Sequence, residues 1–430
     1  MSGEQRSRRG CVNCRAKRKK CDEVRPVCSL CRKVNSECTY SGPKGQGVVA
    51  KPISSNRQLL LPPARCDAIP ITKSIAVTDT NFVYHFRTGF TDLVTFQIPN
   101  HRNPFFSHIL PLVHSSPLVR ESVEAVAAAH LHVLGKASLI NAADLQSEAL
   151  RLLSICLDSV GTDPDDSSGE ECLIASLLLI YYEIVLGNSP SVARCHLRGA
   201  KSLLDILRTQ QSATRLSDLA TAFQYFDVMA SLSLRQRPLG FNHFPQEISS
   251  GFDSIFGLSG SLWPLIINLA DLLACQNNGE DISMQARRLE EQLRSWSAPL
   301  TIDRTDSGQE AMLQIARAFK YTSLLTLYKT CLGEDYTNAK SLKCVYNSAI
   351  DSLLRTCALS GPMSTILWPL YTIGLHAESR DHAVIQGIFS KFSERQHMMV
   401  VETAHETVRK SWSVPSSASL GRAQLVLFLG

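Results

Sequence analysis

Residues 11–38 carry the pattern Cys11-x2-Cys14-x6-Cys21-x6-Cys28-x2-Cys31-x6-Cys38. The offset from Cys11 to Cys28 recurs from Cys14 to Cys31 and from Cys21 to Cys38. The stretch is therefore a duplicated three-thiol unit. A tetrahedral metal site needs four ligands, so each unit is one short. Two zinc ions require eight ligand positions, and six thiolates supply eight if two of them bridge. The 12 histidines all lie at position 85 or beyond, so no nearby imidazole competes. The spacing predicts a binuclear cluster of two Zn2+ ions held by Cys11, Cys14, Cys21, Cys28, Cys31 and Cys38.

Other uses of the cysteines fit less well. A disulfide framework needs an oxidising compartment. The opening stretch from Met1 to Lys20 is polar and basic, without the apolar segment of an export signal. A redox Cys-x-x-Cys belongs beside a βαβ pattern and has no reason to recur at a fixed offset. The module's aliphatics are few: Val12, Val24, Val27, Leu30 and Val34. A module this small with so little to bury cannot fold on apolar contacts, so metal binding must supply the folding free energy.

Between the second and third cysteines runs Arg15-Ala16-Lys17-Arg18-Lys19-Lys20, five cations in six positions. The duplicate run, Arg32 to Glu37, has two cations and one anion. The halves agree in ligands and differ in charge, so the first half should face a polyanion. Residues 1–51 hold 13 Lys/Arg against 4 Asp/Glu, a balance of +9, on a chain whose whole balance is +5. The rest of the chain is therefore mildly acidic. Arg6, Arg8 and Arg9 add a basic arm. A basic head on a weakly acidic body points to nucleic acid or an anionic surface as partner, with phosphate contacts giving salt-sensitive affinity.

Residues 11–38 resemble the fungal Zn2Cys6 binuclear-cluster DNA-binding domain. The resemblance rests on the six cysteines, the basic run Arg15–Lys20, Asp22 after Cys21 and Pro26 before Cys28. It implies a pseudo-two-fold pair of short helices, one after each Cys-x-x-Cys, the first with its end in the major groove at a CGG triplet. With double-stranded DNA as the implied partner, Lys17 and Arg18 would by position read base edges, Arg15, Lys19 and Lys20 would hold phosphates, and Pro26 would shape the loop between the halves. Arg18 stands where the family often has lysine.

The head is expected over residues 1–42, followed by a Pro/Gly-rich linker over 43–80 with Pro43, Pro52, Pro62, Pro63 and Pro70. Relatives with such a head often carry a dimerising coiled coil here. The prolines rule out sustained heptads, and Leu59-Leu60-Leu61 is too short for a zipper. A homodimer would have to use another surface of the chain.

From residue 81 to 430 the pattern is helical. Val119, Val123, Val126, Ala127, His130 and Leu134 share one face, as do Leu219, Ala222, Phe223, Phe226 and Ala230. Trp263-Pro264 suits a helix start. Cys172–Leu186 is apolar nearly all round, predicting a buried central helix. It contains Glu183 and falls short of the roughly 20 apolar residues that span a bilayer, so no membrane partner is expected. The fold class is mostly α: a zinc module followed by an all-α domain of about ten to fifteen helices. This region resembles the fungal-specific transcription factor domain over about residues 82–412. The segments that carry the likeness are Cys195-His196-Leu197-Arg198-Gly199-Ala200, Tyr225-Phe226-Asp227-Val228-Met229-Ala230-Ser231, and Leu367-Trp368-Pro369-Leu370 with Gly374. The resemblance implies a regulatory, self-associating or effector-sensing domain rather than a catalyst.

Enzyme constellations are missing from the pattern. Gly257-Leu258-Ser259-Gly260 lacks the spacing of a nucleophile elbow. His130 and His132, two apart on a helix, point in different directions and read as packing residues. Asp163, Asp165, Asp166, Glu170 and Glu171 read as a solvated loop between helices. The scattered cysteines read as buried helix-face residues. The chain is thus expected to be a nuclear, sequence-specific regulator of RNA polymerase II transcription, working with the transcription machinery on a metabolic or secondary-metabolite gene set. The alternative is a zinc-containing nuclear interaction factor, a corepressor or partner whose basic run serves import.

Overall fold

The computed structural model describes residues 11–17, 19–23, 28–34, 38–40, 48–50, 81–96, 108–160, 167–210, 213–240, 253, 255–298, 306–333, 339–359 and 364–413. Two compact units divide the chain, Met1–Ala76 and Val77–Gly430.

In the first unit, helix α1 (Val12–Ala16) and helix α2 (Ser29–Lys33) each follow the opening cysteine of a Cys-x-x-Cys pair. Strand β1 (Cys38–Tyr40) pairs antiparallel with β2 (Val48–Ala50), Thr39 opposite Val49. β2 lies within the stretch 43–80 that the sequence assigns to the linker. The core of this unit is sulfur: Cys11, Cys14, Cys28, Cys31 and Cys38 are buried, with Cys21 and Leu30 against them. Val12 and Val34 are about half exposed, at 48% and 54%. Among the described aliphatics only Leu30 packs against the sulfurs.

The second unit is a stack of α-helices. Its first part holds α3 (Phe82–His85), α4 (Thr91–Val94), α5 (Pro117–Val133), α6 (Leu139–Leu157), α7 (Ser168–Val185), α8 (Pro190–Gln210) and α9 (Ala213–Leu234). The second part holds α10 (Trp263–Asn277), α11 (Ser283–Ser295), α12 (Ser307–Thr326), α13 (Ala339–Ala358), α14 (Leu367–Leu375), α15 (His382–Gln396) and α16 (Met399–Trp412). Short side chains start several of them. The Ser116 and Ser138 hydroxyls accept the Val119 and Asn141 N–H groups, and Asp306 accepts from Gly308 and Gln309. Pro117 and Pro264 sit in first turns, where no N–H is needed.

Helix α7 is the buried centre that its composition predicts; Leu173 to Ile180 have no more than 4% exposure. Its first turn contains Glu170 and Glu171, which the sequence assigns to a loop. Carboxylates there face the positive end of the helix dipole, and Glu171 accepts from the Ser116 and Ser167 hydroxyls. Asp163, Asp165 and Asp166 lie outside the described residues. A chain of rings runs through the core from Phe90 by Tyr181, Phe226, Tyr225, Trp263 and Phe319 to Trp368, with centroids 4.9–5.9 Å apart.

The segments that carried the family likeness have structural work. Asp227 is buried and accepts the Leu239 and Gly240 N–H groups at 3.0 and 3.2 Å. Arg194 lies 3.8 Å from it and donates to Ser231 Oγ and the Arg237 carbonyl. The pair ties α8, α9 and the stretch 237–240 together. Burial raises the Asp227 carboxyl and lowers the Arg194 guanidinium, each against the other's favourable charge. Gly374 has α16 close above it: a Cβ there would stand 2.9 Å from Val408, and the neighbouring Trp412 Nε1 donates to the Gly374 carbonyl. His130 is packed inside, within 3.0 Å of His85 Nε2 and with its own Nε2 3.2 Å from the Gln396 carbonyl. His132 lies at the edge. Of the scattered cysteines, Cys172, Cys275 and Cys357 are buried, Cys156 and Cys331 half-buried, while Cys195 and Cys344 are exposed. No helix among the described residues is long and apolar enough to cross a membrane.

Candidate metal centre and nucleic-acid interface

The six sulfurs fall into two groups of four, Cys11-Cys14-Cys21-Cys28 and Cys11-Cys28-Cys31-Cys38, each with all its Sγ atoms within 4.8 Å of one another. Cys11 and Cys28 belong to both. The offset that duplicates the sequence maps one group onto the other, so the shared pair is the first cysteine of each half. A tetrahedron with Zn–S bonds of about 2.3 Å has S···S edges of about 3.8 Å. The edges here are 3.8 Å for Cys11–Cys28, 3.6 Å for Cys11–Cys31 and 3.5 Å for Cys14–Cys28. A disulfide would need about 2.05 Å, and none of the six is in one. The donor set and its spacing fit zinc.

The backbone repeats the duplication. Cys14 N–H points at Cys11 Sγ (3.3 Å) and Cys31 N–H at Cys28 Sγ (3.4 Å). Cys11 N–H points at Cys21 Sγ (3.5 Å) and Cys28 N–H at Cys38 Sγ (3.3 Å). Each shared sulfur thus sits at the mouth of its own short helix and receives a peptide dipole. Sequence spacing alone does not reveal this, because it depends on the backbone turning back after each cysteine. Burial raises the Cys11, Cys14 and Cys38 thiols. At Cys28 burial acts the same way, but the Cys31 N–H and neighbouring thiols outweigh it and bring the group down to about 6.

The basic segment leaves this cage on a fixed path. Arg15 N–H bonds to the Cys11 carbonyl, Lys17 N–H to Asn13, and Lys19 N–H to Cys14, at 2.9–3.0 Å. Arg15, Lys17, Lys19 and Lys20 are exposed. Arg18 and Pro26 lie outside the described residues. Asp22 reaches across to the second half, its two oxygens 3.2 and 3.1 Å from Ser29 N at the start of α2. The acidic residue after Cys21 therefore joins the halves, a role that only the fold makes visible.

Comparison with known proteins agrees with this geometry. Residues 81–419 match the family described as fungal specific transcription factor domain. The chain belongs to that family. Residues 9–47 match the fungal Zn(2)-Cys(6) binuclear cluster domain. Both matches are to families of fungal transcription factors, the second a zinc-cluster domain. The chain is similar to the Zn(2)-C6 fungal-type transcription factor afumD of Aspergillus fumigatus, 28% identical over 180 residues that cover 41% of this chain and 46% of that protein. A stretch of 44 residues, 10% of this chain and 8% of that one, is 48% identical to pestheic acid cluster transcriptional regulator 3 of Pestalotiopsis fici. A stretch of 36 residues, 8% of this chain and 5% of that one, is 53% identical to sterol uptake control protein 2 of Candida albicans. The matches span less than half the length of these curated relatives. No solved structure matches the chain significantly.

Proposed function

We propose that the chain is a nuclear, sequence-specific regulator of RNA polymerase II transcription that reads CGG-type triplets. Two zinc ions are held by Cys11, Cys14, Cys21, Cys28, Cys31 and Cys38, with Cys11 and Cys28 bridging. The observation that carries the reading is the exposed row Arg15, Lys17, Lys19 and Lys20 on a backbone pinned to the sulfur cage. A rigid cationic ridge loses little conformational entropy when it meets phosphate and base edges. Lys17, with Arg18 beside it in sequence, reads bases, while Arg15, Lys19 and Lys20 hold phosphates. The name of the pestheic acid cluster relative supports a secondary-metabolite gene set as target.

The test is binding of the full chain to a CGG duplex and to a scrambled one across a salt series. Lys17→Ala should weaken the CGG duplex by roughly five- to a hundredfold, the range of one lost base contact, and spare the scrambled one. Lys20→Ala should weaken both alike and shrink the salt slope by about one. Equal losses on both duplexes from Lys17→Ala would remove the base-reading assignment.

A further inference from the structure

The duplication of the head reaches beyond its cysteines. The offset that carries Cys11 to Cys28 also carries Asn13 to Leu30 and Lys17 to Val34. The Asn13 carbonyl accepts the Lys17 N–H at 3.0 Å, and the Leu30 carbonyl accepts the Val34 N–H at 3.1 Å. Helices α1 and α2 thus hold these positions in matching backbone, and the side chains differ.

In the second half the side chain is apolar, and Leu30 packs against the sulfur core. In the first half it is an amide, and Asn13 Nδ2 lies 3.6 Å from Cys31 Sγ. That is an N–H···S contact from α1 to a sulfur of α2, across the two halves. Nitrogen is the atom that fits there, because the amide oxygen would set its lone pairs against those of the sulfur. Cys31 is buried and belongs to the group of four that includes Cys38. Backbone N–H groups are aimed at Cys11, Cys21, Cys28 and Cys38, whereas Cys31 is reached by this side chain. A donor to a buried thiolate offsets part of the cost of its charge. Asp22 of the first half already grips the backbone at the start of α2, so Asn13 adds a hold on the ligand within that helix.

We infer that Asn13 is a positioning residue of the metal centre. Its amide orients and stabilises the Cys31 thiolate. Its carbonyl, holding the Lys17 N–H, ties that sulfur to the turn that carries the base-reading side chain. This role rests on the two-zinc reading above and is measured first without DNA.

Displacement of zinc from the full chain by a chromogenic chelator is the test. The wild type should give up two equivalents; fewer would remove the cluster reading itself. Leucine is the informative replacement, since the matching backbone of α2 already accepts it. In Asn13→Leu the chelator concentration that removes half of the zinc should fall by about tenfold. Asn13→Asp keeps the side-chain shape and suits a helix's first turn, yet sets a carboxylate oxygen against the sulfur, so it should fall at least as far. With Co2+ in place of zinc, the sulfur-to-cobalt charge-transfer band should move to longer wavelength in Asn13→Leu, because a sulfur without its donor yields an electron more easily. A residue that only packs would leave the band in place. Where the wild type binds the CGG duplex, the binding lost in Asn13→Leu should return with excess zinc. A wild type that ignores the duplex would sink the DNA reading and leave the chelator and cobalt measurements to decide this one. Zinc retention in Asn13→Leu within about twofold of wild type, undiminished retention in Asn13→Asp, an unmoved cobalt band, or a DNA defect that excess zinc leaves in place would each overturn the proposal.

Discussion

Acidification should unfold the helical body through His130. The ring is 2% exposed, and its polar neighbours are His85 and the Gln396 carbonyl. Burial, with His85, His397 and Lys136 nearby, pushes its pKa from 6.5 down to about 4 despite the Gln396 carbonyl. The folded chain thus holds a neutral imidazole. Below the ordinary value of 6.5 the unfolded chain takes up a proton that the folded chain refuses until about 4. The stabilisation from the neutral ring is complete above that ordinary value and falls away as the pH drops through the window. Linkage gives a loss of about 2 kcal/mol between pH 7 and pH 5 and about 3 kcal/mol by pH 4. The four tryptophans, Trp263, Trp296, Trp368 and Trp412, all belong to the body, so urea titrations followed by tryptophan fluorescence report on it alone. His130→Gln stays neutral and can still donate to the Gln396 carbonyl. It will have its own baseline stability, but its drop from pH 7 to pH 5 should be smaller than the wild type's by about 2 kcal/mol. Identical pH dependence in the two proteins refutes the reasoning.

Stripping zinc with a chelator, or Cys14→Ala, should abolish DNA binding while leaving the tryptophan-detected transition in place, since the head's core is its sulfurs; gel shifts and urea titrations check the two halves of the claim. Structural zinc in such peptides contributes about 10–16 kcal/mol, far more than the exposed valines could replace. Asp227→Ala should cost the body about 3–5 kcal/mol by leaving Arg194 buried without its counter-charge, read as a lower urea midpoint. Replacing both residues, as Asp227→Leu with Arg194→Met, should cost clearly less than the sum of the single changes, and the cycle measures the coupling.

The sequence was most legible where one chemistry admits few arrangements. Six cysteines at a repeated spacing left a shared-ligand cage as the economical solution, and the sulfur distances agree with it. The helical body was legible from period at α5 and α9, where an apolar stripe repeats over several turns, from near-continuous apolarity at α7, and from the Trp263-Pro264 start at α10. Short-range signals misled where two readings share a composition. Glu170 and Glu171 look like loop acids, yet carboxylates are equally at home in a helix's first turn. Val48–Ala50 is too short a run for alternation to speak, and only its partners in β1 define it as a strand. Asp227 gave no hint in sequence that it would be buried, because its compensation comes from Arg194 on the preceding helix and from the peptide groups of Leu239 and Gly240. The likeness to a known family pointed to that segment without explaining it.

The two sulfurs common to both groups have a consequence for how the head is filled. Cys11 and Cys28 cannot be in place for one ion without being in place for its neighbour. On the proposed occupancy, the first ion to arrive gathers half of the second ion's ligands, and the first to leave scatters them. Titrated with metal, such a cage passes from empty to full with little of any singly loaded form between, and the DNA-facing ridge gains or loses its shape in the same step.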